Sequence, residues 1–364
     1  IILNLLRRHE PISRARLSDL TGIYRSNVSA IVDGLIAEEL IVEKRGTPKG
    51  RGRVPILLSL NPEAFLVAGA SIRVDQTAVC IAGANGNLHA QATFRTPSKP
   101  GPFLEELRRA VNQVLTFLPG KRPSDIREMC ISVPGLVRLD TGEIHWIPSL
   151  PRYSGFALGT QAQAATGIRT AVANDCELAA VAEVWFSKDP SHLRDFVFLD
   201  IGPVGVGAGV MINGELCKGH AASFAGVFGH IVIAPSGPLC ECGRRGCWEC
   251  YVSDRATWAR YDPQKKLTTH RFRRLIQRAR EGEDNALRVF RETAQYLSLG
   301  ISNIMFALNP QLVITSGSIV EVWDAILPVL LTAYASPRIE FRVRPSTMKA
   351  EDLFLRGAVI FALS

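Results

Sequence analysis

The sequence predicts an α/β protein carried behind an N-terminal winged helix-turn-helix. Three observations predict it. The first sixty residues give three helical patterns, then a basic, glycine-rich turn between two strand-like runs. The remaining three hundred alternate strand and helix patterns in an order that occurs twice. A histidine and three of the eight cysteines fall in "HIVIAPSGPLCECGRRGC", an H-x9-C-x-C-x4-C pattern from His230 to Cys247.

Bulk properties narrow the class. A chain of 364 residues suffices for two or three domains. Hydrophobic residues at 47% and charged residues at 21% are ordinary for a soluble globular protein. No apolar run reaches membrane-spanning length. The start "IILNLLRRHEPISRARL" is not ordered like a signal peptide, because Arg7 and Arg8 follow its short apolar stretch. A cytoplasmic protein without a membrane partner is expected, and the start at Ile1 suggests a few residues missing upstream. Cys80, Cys130, Cys176, Cys217 and Cys250 are scattered in mostly apolar contexts and read as free thiols in a reducing compartment. The net charge of +8 and a pI near 9.2 hint at a polyanionic partner.

Residues 1–60 are expected to form the DNA-binding domain. "IILNLLRRH" has apolar residues at helical spacing. "SRARLSDLTG" fits a second helix, with Ser13 as N-cap, Leu17 and Leu20 as apolar face and Gly22 at C′. "RSNVSAIVDGLIAEELI" gives a third, with Val28, Ile31, Val32, Leu35 and Ile36 on one face. That is helix-turn-helix order. Arg25, Ser26, Asn27 and Ser29, at the exposed start of the third helix, suit base edges and phosphates. "LIVEKRGTPKGRGRVPILLSL" then reads as a wing whose Arg51 and Arg53 enter a minor groove or hold phosphates. The plainer reading is a three-helix bundle used for protein contacts. Helix order, glycine, polar face and basic wing together speak against it.

Residues 61–364 read as α/β. "FLVAGASIRV", "TAVCIAG" and "LHAQATFRT" are strand-like, "FLEELRRAVNQVLTFL" is a helix, and "REMCISVPGLV" is a strand. The pattern returns in "DFVFLDIG", "VGAGVMING", the long helix "DNALRVFRETAQYLSLGISNIMFAL" and "QLVITSG". This weak duplication of βββαβ-type halves suggests two α/β lobes with a cleft between them. "AEDLFLRGAVIFAL" is a last amphipathic helix, expected to close the first lobe.

Over nearly its whole length the chain resembles the ROK family of sugar kinases and sugar-responsive repressors. "GVGAGVMINGELCKGHAASFAGVFGH", "CECGRRGCWE", "VANDCELAA", "SVPGLV" and "LRGAVIFAL" resemble its glycine-rich, cysteine, Asn-Asp and other recurring motifs, in order. A winged helix followed by "RGR" is what the family's repressors carry. The resemblance implies an actin-like ATPase (RNase H-like) fold of two lobes for the ROK domain.

Closely spaced cysteines in a cytosolic chain are more often metal ligands than disulfides. Cys240, Cys242 and Cys247, with His230, make a Cys3His set suited to a closed, structural zinc ion, with Zn–S near ~2.3 Å. Reduced thiols or a redox pair are the competing reading, and the family's cysteine motif weighs against them. Cys250 lies beyond the motif and is not expected to ligate. The family also places its sugar beside the metal. By that resemblance Asn174, Asp175, His230 and Glu249 bind the ligand, the histidine using one ring nitrogen for zinc and the other for sugar. Val227 stands where the family has a glutamate, so a modified or less hydroxylated ligand is implied.

In the family's kinases the residue at Asp175 is the base, and an Asp-x-Gly-Gly-Thr turn cradles phosphate. This chain has "GASIRVDQ" there, with Arg73 and Val74 where backbone must approach phosphate. "GPVGVGAG" keeps Gly205, Gly207 and Gly209, whereas "TSGS" lacks a double glycine. The expectation is therefore no enzyme but a transcription regulator of carbohydrate genes, read as a repressor although the residues do not fix the sign of regulation. It binds a double-stranded DNA operator under control of a small sugar-like effector, as a homodimer or homotetramer. Two alternatives stand beside it: a sugar kinase with an accessory DNA-binding domain, and a scaffold that binds another protein.

Overall fold

The computed structural model describes residues 2–47, 54–138, 140–187, 193–203, 205–220, 225–334, 340 and 342–364, the side chains of Asn4 and Arg8 excepted. The chain opens with α1 (Ile2–His9), α2 (Arg14–Thr21), α3 (Arg25–Ala37), β1 (Ile41–Arg45) and β2 (Ile56–Leu60). The Ser13 hydroxyl caps α2 by accepting from the Arg16 amide at 3.2 Å, and Gly22 closes it at φ 69°. β1 and β2 pair antiparallel, Ile41 opposite Leu60. One apolar cluster holds the unit together: Leu6 of α1, Leu17 of α2, Val28 and Val32 of α3, and Ile41 and Leu58 of the strands. Arg14 ties α2 to α3 and β1 through Asp33 at 2.7 Å and Glu43 at 2.8 Å.

Two local expectations are corrected. α3 ends at Ala37, not Ile41. Glu39 takes φ 58°, and two acids at a helix C-terminus oppose the dipole, so the chain turns and Ile41 starts a strand. Leu20 and Ile31 are exposed, at 39% and 43%, because the short bundle fully buries only Leu17 of α2 and Val28 and Val32 of α3.

The next elements are β3 (Leu66–Ile72), β4 (Gln76–Gly83), β5 (Leu88–Arg95), α4 (Pro100–Leu115), β6 (Ile126–Val133), β7 (Leu136–Val137), β8 (Ile144–Trp146), α5 (Leu158–Thr166), β9 (Thr170–Asn174) and α6 (Asp175–Phe186). Then come β10 (Phe196–Ile201), β11 (Val206–Ile212), β12 (Glu215–Leu216), α7 (Glu249–Val252), α8 (Asp254–Tyr261), α9 (Thr269–Arg280) and α10 (Asp284–Leu308). β13 (Leu312–Gly317), α11 (Trp323–Thr332), β14 (Val343–Pro345) and α12 (Ala350–Ala362) finish the chain.

The two halves repeat one topology. The first sheet runs β5-β4-β3-β6-β9 and the second β12-β11-β10-β13-β14. In each, the first three strands form an antiparallel meander and the last two add in parallel to the first strand. Parallel addition needs a crossover, and α4 and α10 supply it. Each sheet packs its outer face on its own helices, α4 and α5 for the first and α8 to α11 for the second. The inner faces share α6 and α12. Val67 and Cys130 of the first sheet meet Leu178, Leu355 and Val359. Phe196, Phe198 and Ile314 of the second meet Ala179, Leu353 and Ile360. The last helix thus packs on both sheets.

Candidate metal centre and ligand cleft

The cysteine loop follows β12. A single 3-10 turn, Phe228–His230, delivers the histidine. Bridges between Val232 and Cys247 and between Leu239 and Arg245 fold the loop back on itself. The turn between them uses Gly243 and Gly246 at φ 87° and 72°. A Cβ on Gly246 would lie 1.5 Å from the Ala234 carbonyl oxygen, so only glycine fits there. One ligand atom from each of His230, Cys240, Cys242 and Cys247 falls within 4.8 Å of the others. His230 Nδ1 is 3.4 Å from Cys240 Sγ, and Cys242 Sγ is 3.5 Å from Cys247 Sγ. Sulfurs about 2.3 Å from a tetrahedral ion stand about 3.8 Å apart, so the cluster has the size of a metal site. Cys250 is outside the group.

Burial pushes the Cys247 thiol up to about 11 and Cys240 well above its ordinary value. Cys242 shifts the other way. Burial opposes its ionisation, but the Arg244 amide and the neighbouring thiols outweigh that and hold it low. A metal ion binding here displaces protons, so its affinity rises with pH.

Beside the cluster lies a cavity of about 430 Å3. Leu136 of β7 and Trp146 of β8 come from the first lobe; Val227, His230, Cys242 and Arg244 come from the second. The Trp146 and His230 rings are 5.4 Å apart at 48°. Arg244 donates to the His230 carbonyl. Val227 and His230 are thus on the cavity wall, and Asn174, Asp175 and Glu249 are not. Each of these three has another partner. Asn174 caps α6, accepting from the Cys176 and Glu177 amides at 2.9 and 3.1 Å and donating to the Gly135 carbonyl at 3.0 Å. Asp175 accepts from the Cys176 amide at 2.8 Å. Glu249 accepts from the Cys240 thiol at 3.0 Å and stands 3.5 Å from His230 Nδ1. Trp146 and Arg244 escaped the sequence reading. Trp146 sits in a strand of only three residues, too short for any periodicity to mark.

At the interlobe end of β3, Arg73 reaches Glu351 of α12 at 3.5 Å. Its charge also acts on two buried carboxyls. Burial and the charge of Asp200 push Asp175 up to about 7, against the pull of Arg73. Burial pushes Asp200 up to about 6, again against Arg73. Val74 is 55% exposed. The glycines of the surviving loop are explained by packing: a Cβ on Gly207 would lie 2.3 Å from Cys176 Sγ, and one on Gly209 would lie 2.4 Å from the Cys176 oxygen. β11 lies directly on α6, and no phosphate is needed to account for these residues.

At the head of α3, Arg25, Ser26 and Asn27 are exposed and Ser29 is half-buried. Tyr24, just before them, is 81% exposed. Arg51 and Arg53 lie outside the described residues.

Comparison with known proteins places this geometry. The profile of the ROK family matches residues 67–351. The xylose repressor of Bacillus subtilis is 28% identical over 328 residues, 90% of this chain and 83% of its own. A crystal structure of a ROK family transcriptional regulator, a homologue of the E. coli MLC protein, matches with TM-score 0.79 at 21% identity. That match covers 100% of this chain and 97% of the other. A ROK family glucokinase from Streptomyces griseus, in complex with glucose and AMPPNP, matches with TM-score 0.69 at 23% identity over 81% of this chain and 98% of its own. The chain belongs to the ROK family.

Proposed function

We propose that this ROK protein is a cytoplasmic, DNA-binding transcription regulator, a repressor, whose DNA affinity is set by a small sugar. The observation that carries the reading is the cavity. Its walls come from both lobes, beside a Cys3His cluster, in a chain whose first sixty residues form three helices and a two-stranded sheet, the arrangement a winged helix-turn-helix would have. A ligand in such a cavity favours whichever lobe arrangement it fits best, and only that difference in affinity can be passed to the DNA-binding unit. Residues 1–60 form the DNA-binding domain and 61–364 the sensor. Arg25, Ser26, Asn27, Ser29, Arg51 and Arg53 contact an operator. A homodimer or homotetramer sets two headpieces on paired half-sites.

Zinc is the metal, held by His230, Cys240, Cys242 and Cys247. Bound there it organises the loop, with no ligand position left open for chemistry. Its service to the cleft is to fix the His230 ring, leaving Nε2 for a ligand hydroxyl. Asn174, Asp175 and Glu249 join the ligand when the lobes close. Xylose is the first sugar to test, because the Bacillus subtilis relative is named a xylose repressor and Val227 leaves room for a ligand with fewer hydroxyls.

The competing reading is a sugar kinase, which the Asp175 carboxyl near neutrality would suit as a base. Against it, Arg73 and Val74 occupy the turn where nucleotide phosphates would need bare backbone, and Arg73 is engaged with Glu351. A coupled assay with ATP and magnesium over a sugar panel, run beside thermal shift with the same sugars, separates the two. Stabilisation by a sugar without ADP release supports the sensor. Sugar-dependent ADP release, abolished in Asp175→Asn, establishes the kinase.

A further inference from the structure

The positive charge of the chain is concentrated far from the helix-turn-helix. Residues 263–280 carry seven Lys and Arg and no Asp or Glu, so +7 of the net +8 lies in one stretch. The first sixty residues hold ten Lys and Arg against six Asp and Glu, which is +4, and the rest of the chain is therefore net −3. The basic stretch is built around α9. Phe272, Leu275, Ile276 and Ala279 fix one face of that helix in the core of the second lobe. Arg273, Arg274, Arg278 and Arg280 are exposed on the other, and Arg271 is half-buried.

Part of this charge is answered within the chain. Lys265 pairs with Asp262 at 2.9 Å, Arg278 with Glu283 at 3.5 Å, and Arg280 with Glu321 at 3.3 Å. Among the described residues no carboxylate pairs with Lys266, Arg271, Arg273 or Arg274. Their arrangement works against the helix that carries them. Arg271 and Arg274 are three apart and Arg274 and Arg278 four apart, so like charges face each other on one surface. Arg271 also sits near the helix N-terminus, where the dipole disfavours cations. A solvated face chosen only for solubility would mix signs along this helix. Repulsion of this kind is relieved when a polyanion lies across the face.

We propose that the exposed face of α9 is a second DNA-contacting surface, which holds the phosphodiester backbone of duplex DNA independently of the helix-turn-helix. Arginine is suited to this task, since its planar fork donates two hydrogen bonds to one phosphate. The contact carries no sequence information: it adds affinity and salt dependence, and it is not needed for operator choice.

The test uses the full chain with Arg271, Arg273 and Arg274 all changed to Gln, and a second variant with all three changed to Lys. Binding to a random-sequence duplex is followed by fluorescence anisotropy across salt concentration. Three lost phosphate contacts lower the slope of log K against log salt by about 2.7, so between about 50 and 200 mM salt the wild type loses roughly 40-fold more affinity than the Gln variant. The Lys variant keeps the wild-type slope. If the triple Gln variant does not fold, Arg273→Gln alone is expected to lower the slope by about 0.9. A Gln variant with unchanged slope overturns the proposal. So does a Gln variant that loses binding to polyglutamate while keeping its DNA binding, which would assign the face to an acidic protein. Asn27→Ala on operator DNA reports separately on the helix-turn-helix. Its failure to weaken operator binding would sink the proposed reading of residues 1–60 without touching the α9 slope.

Discussion

Asp175 shows how a side chain can be singled out by sequence while its surroundings stay hidden. Its position at the start of α6 follows from the Asn-Asp pair, in which Asn174 caps the helix. Its environment comes from residues distant in the chain, Asp200 on β10 and Arg73 after β3, which no local spacing reveals. The cysteine cluster is the opposite case. His230, Cys240, Cys242 and Cys247 lie within one loop, so their spacing marks them as a group, and the structure brings one donor atom of each within 4.8 Å of the others. The burial of Asp175 has a measurable consequence. Its folded pKa, about 7, lies above its ordinary value of 3.8, so the native state holds the proton more tightly than the unfolded chain. The stabilising contribution is therefore complete below about pH 4 and is lost as pH rises through about 7. Asp175→Asn removes the titration and can still accept from the Cys176 amide. The variant should match the wild type in denaturant melts at pH 4 and exceed it at pH 8 by on the order of 2–4 kcal/mol. Equal stability at both values would show that Asp175 stays charged at little cost.

Elements were legible where a solvent-facing side gave them a period. α10 spans Asp284–Leu308, the limits its pattern predicts, because polar residues mark one face along its length. α6 went unread as a helix. It lies between the two sheets, nearly every residue from Asp175 to Val184 is buried, and "DCELAAVAEVW" has no polar face to count from. β12 and β14, with two and three residues, are too short to carry alternation. α10 also supports the cysteine loop, through a contact the pattern does not show. Gly300 lies against the buried indole of Trp248, next to Cys247, and a Cβ there would come within 1.9 Å of the ring. The indole is held by a 2.8 Å hydrogen bond to the Tyr296 carbonyl. Ala in place of Gly gains about 1 kcal/mol of helix propensity, but overpacking a fixed ring costs about 1–3 kcal/mol or more. Gly300→Ala should lower the melting temperature and speed metal release to a chelator, because the displaced ring adjoins Cys247. A variant that melts higher and holds its metal as firmly would show that the ring yields.

At the scale of the whole molecule the question is how a cavity beside His230 reaches the N-terminal unit of α1 to α3, proposed above to bind DNA. The duplication was visible as repeated strand and helix patterns, and with it a cleft between lobes, but not the residues of its walls, which come from a β7–β8 hairpin and the cysteine loop, far apart in sequence. Under the proposed function, a ligand that touches both walls favours whichever lobe arrangement it fits best. Thermodynamic linkage then requires that the factor by which effector changes DNA affinity equals the factor by which DNA changes effector affinity. Trp146 is the side chain on which this can be tested cleanly. It belongs to the first lobe, faces the second, and contributes an apolar ring suited to the C–H face of a sugar. Its loss opens the cavity wall and leaves the three cysteines and the N-terminal helical unit in place, although it also removes the ring that packs on His230. Trp146→Ala should weaken effector binding at least five-fold, since an aromatic contact of about 1 kcal/mol or more is worth that ratio. Operator affinity of the ligand-free protein should stay at the wild-type value. The effector concentration needed to change operator occupancy should rise by the same five-fold or more. If effector affinity falls while that concentration stays put, the sugar acts on DNA binding from some other site, and the cavity between the lobes is not the sensor.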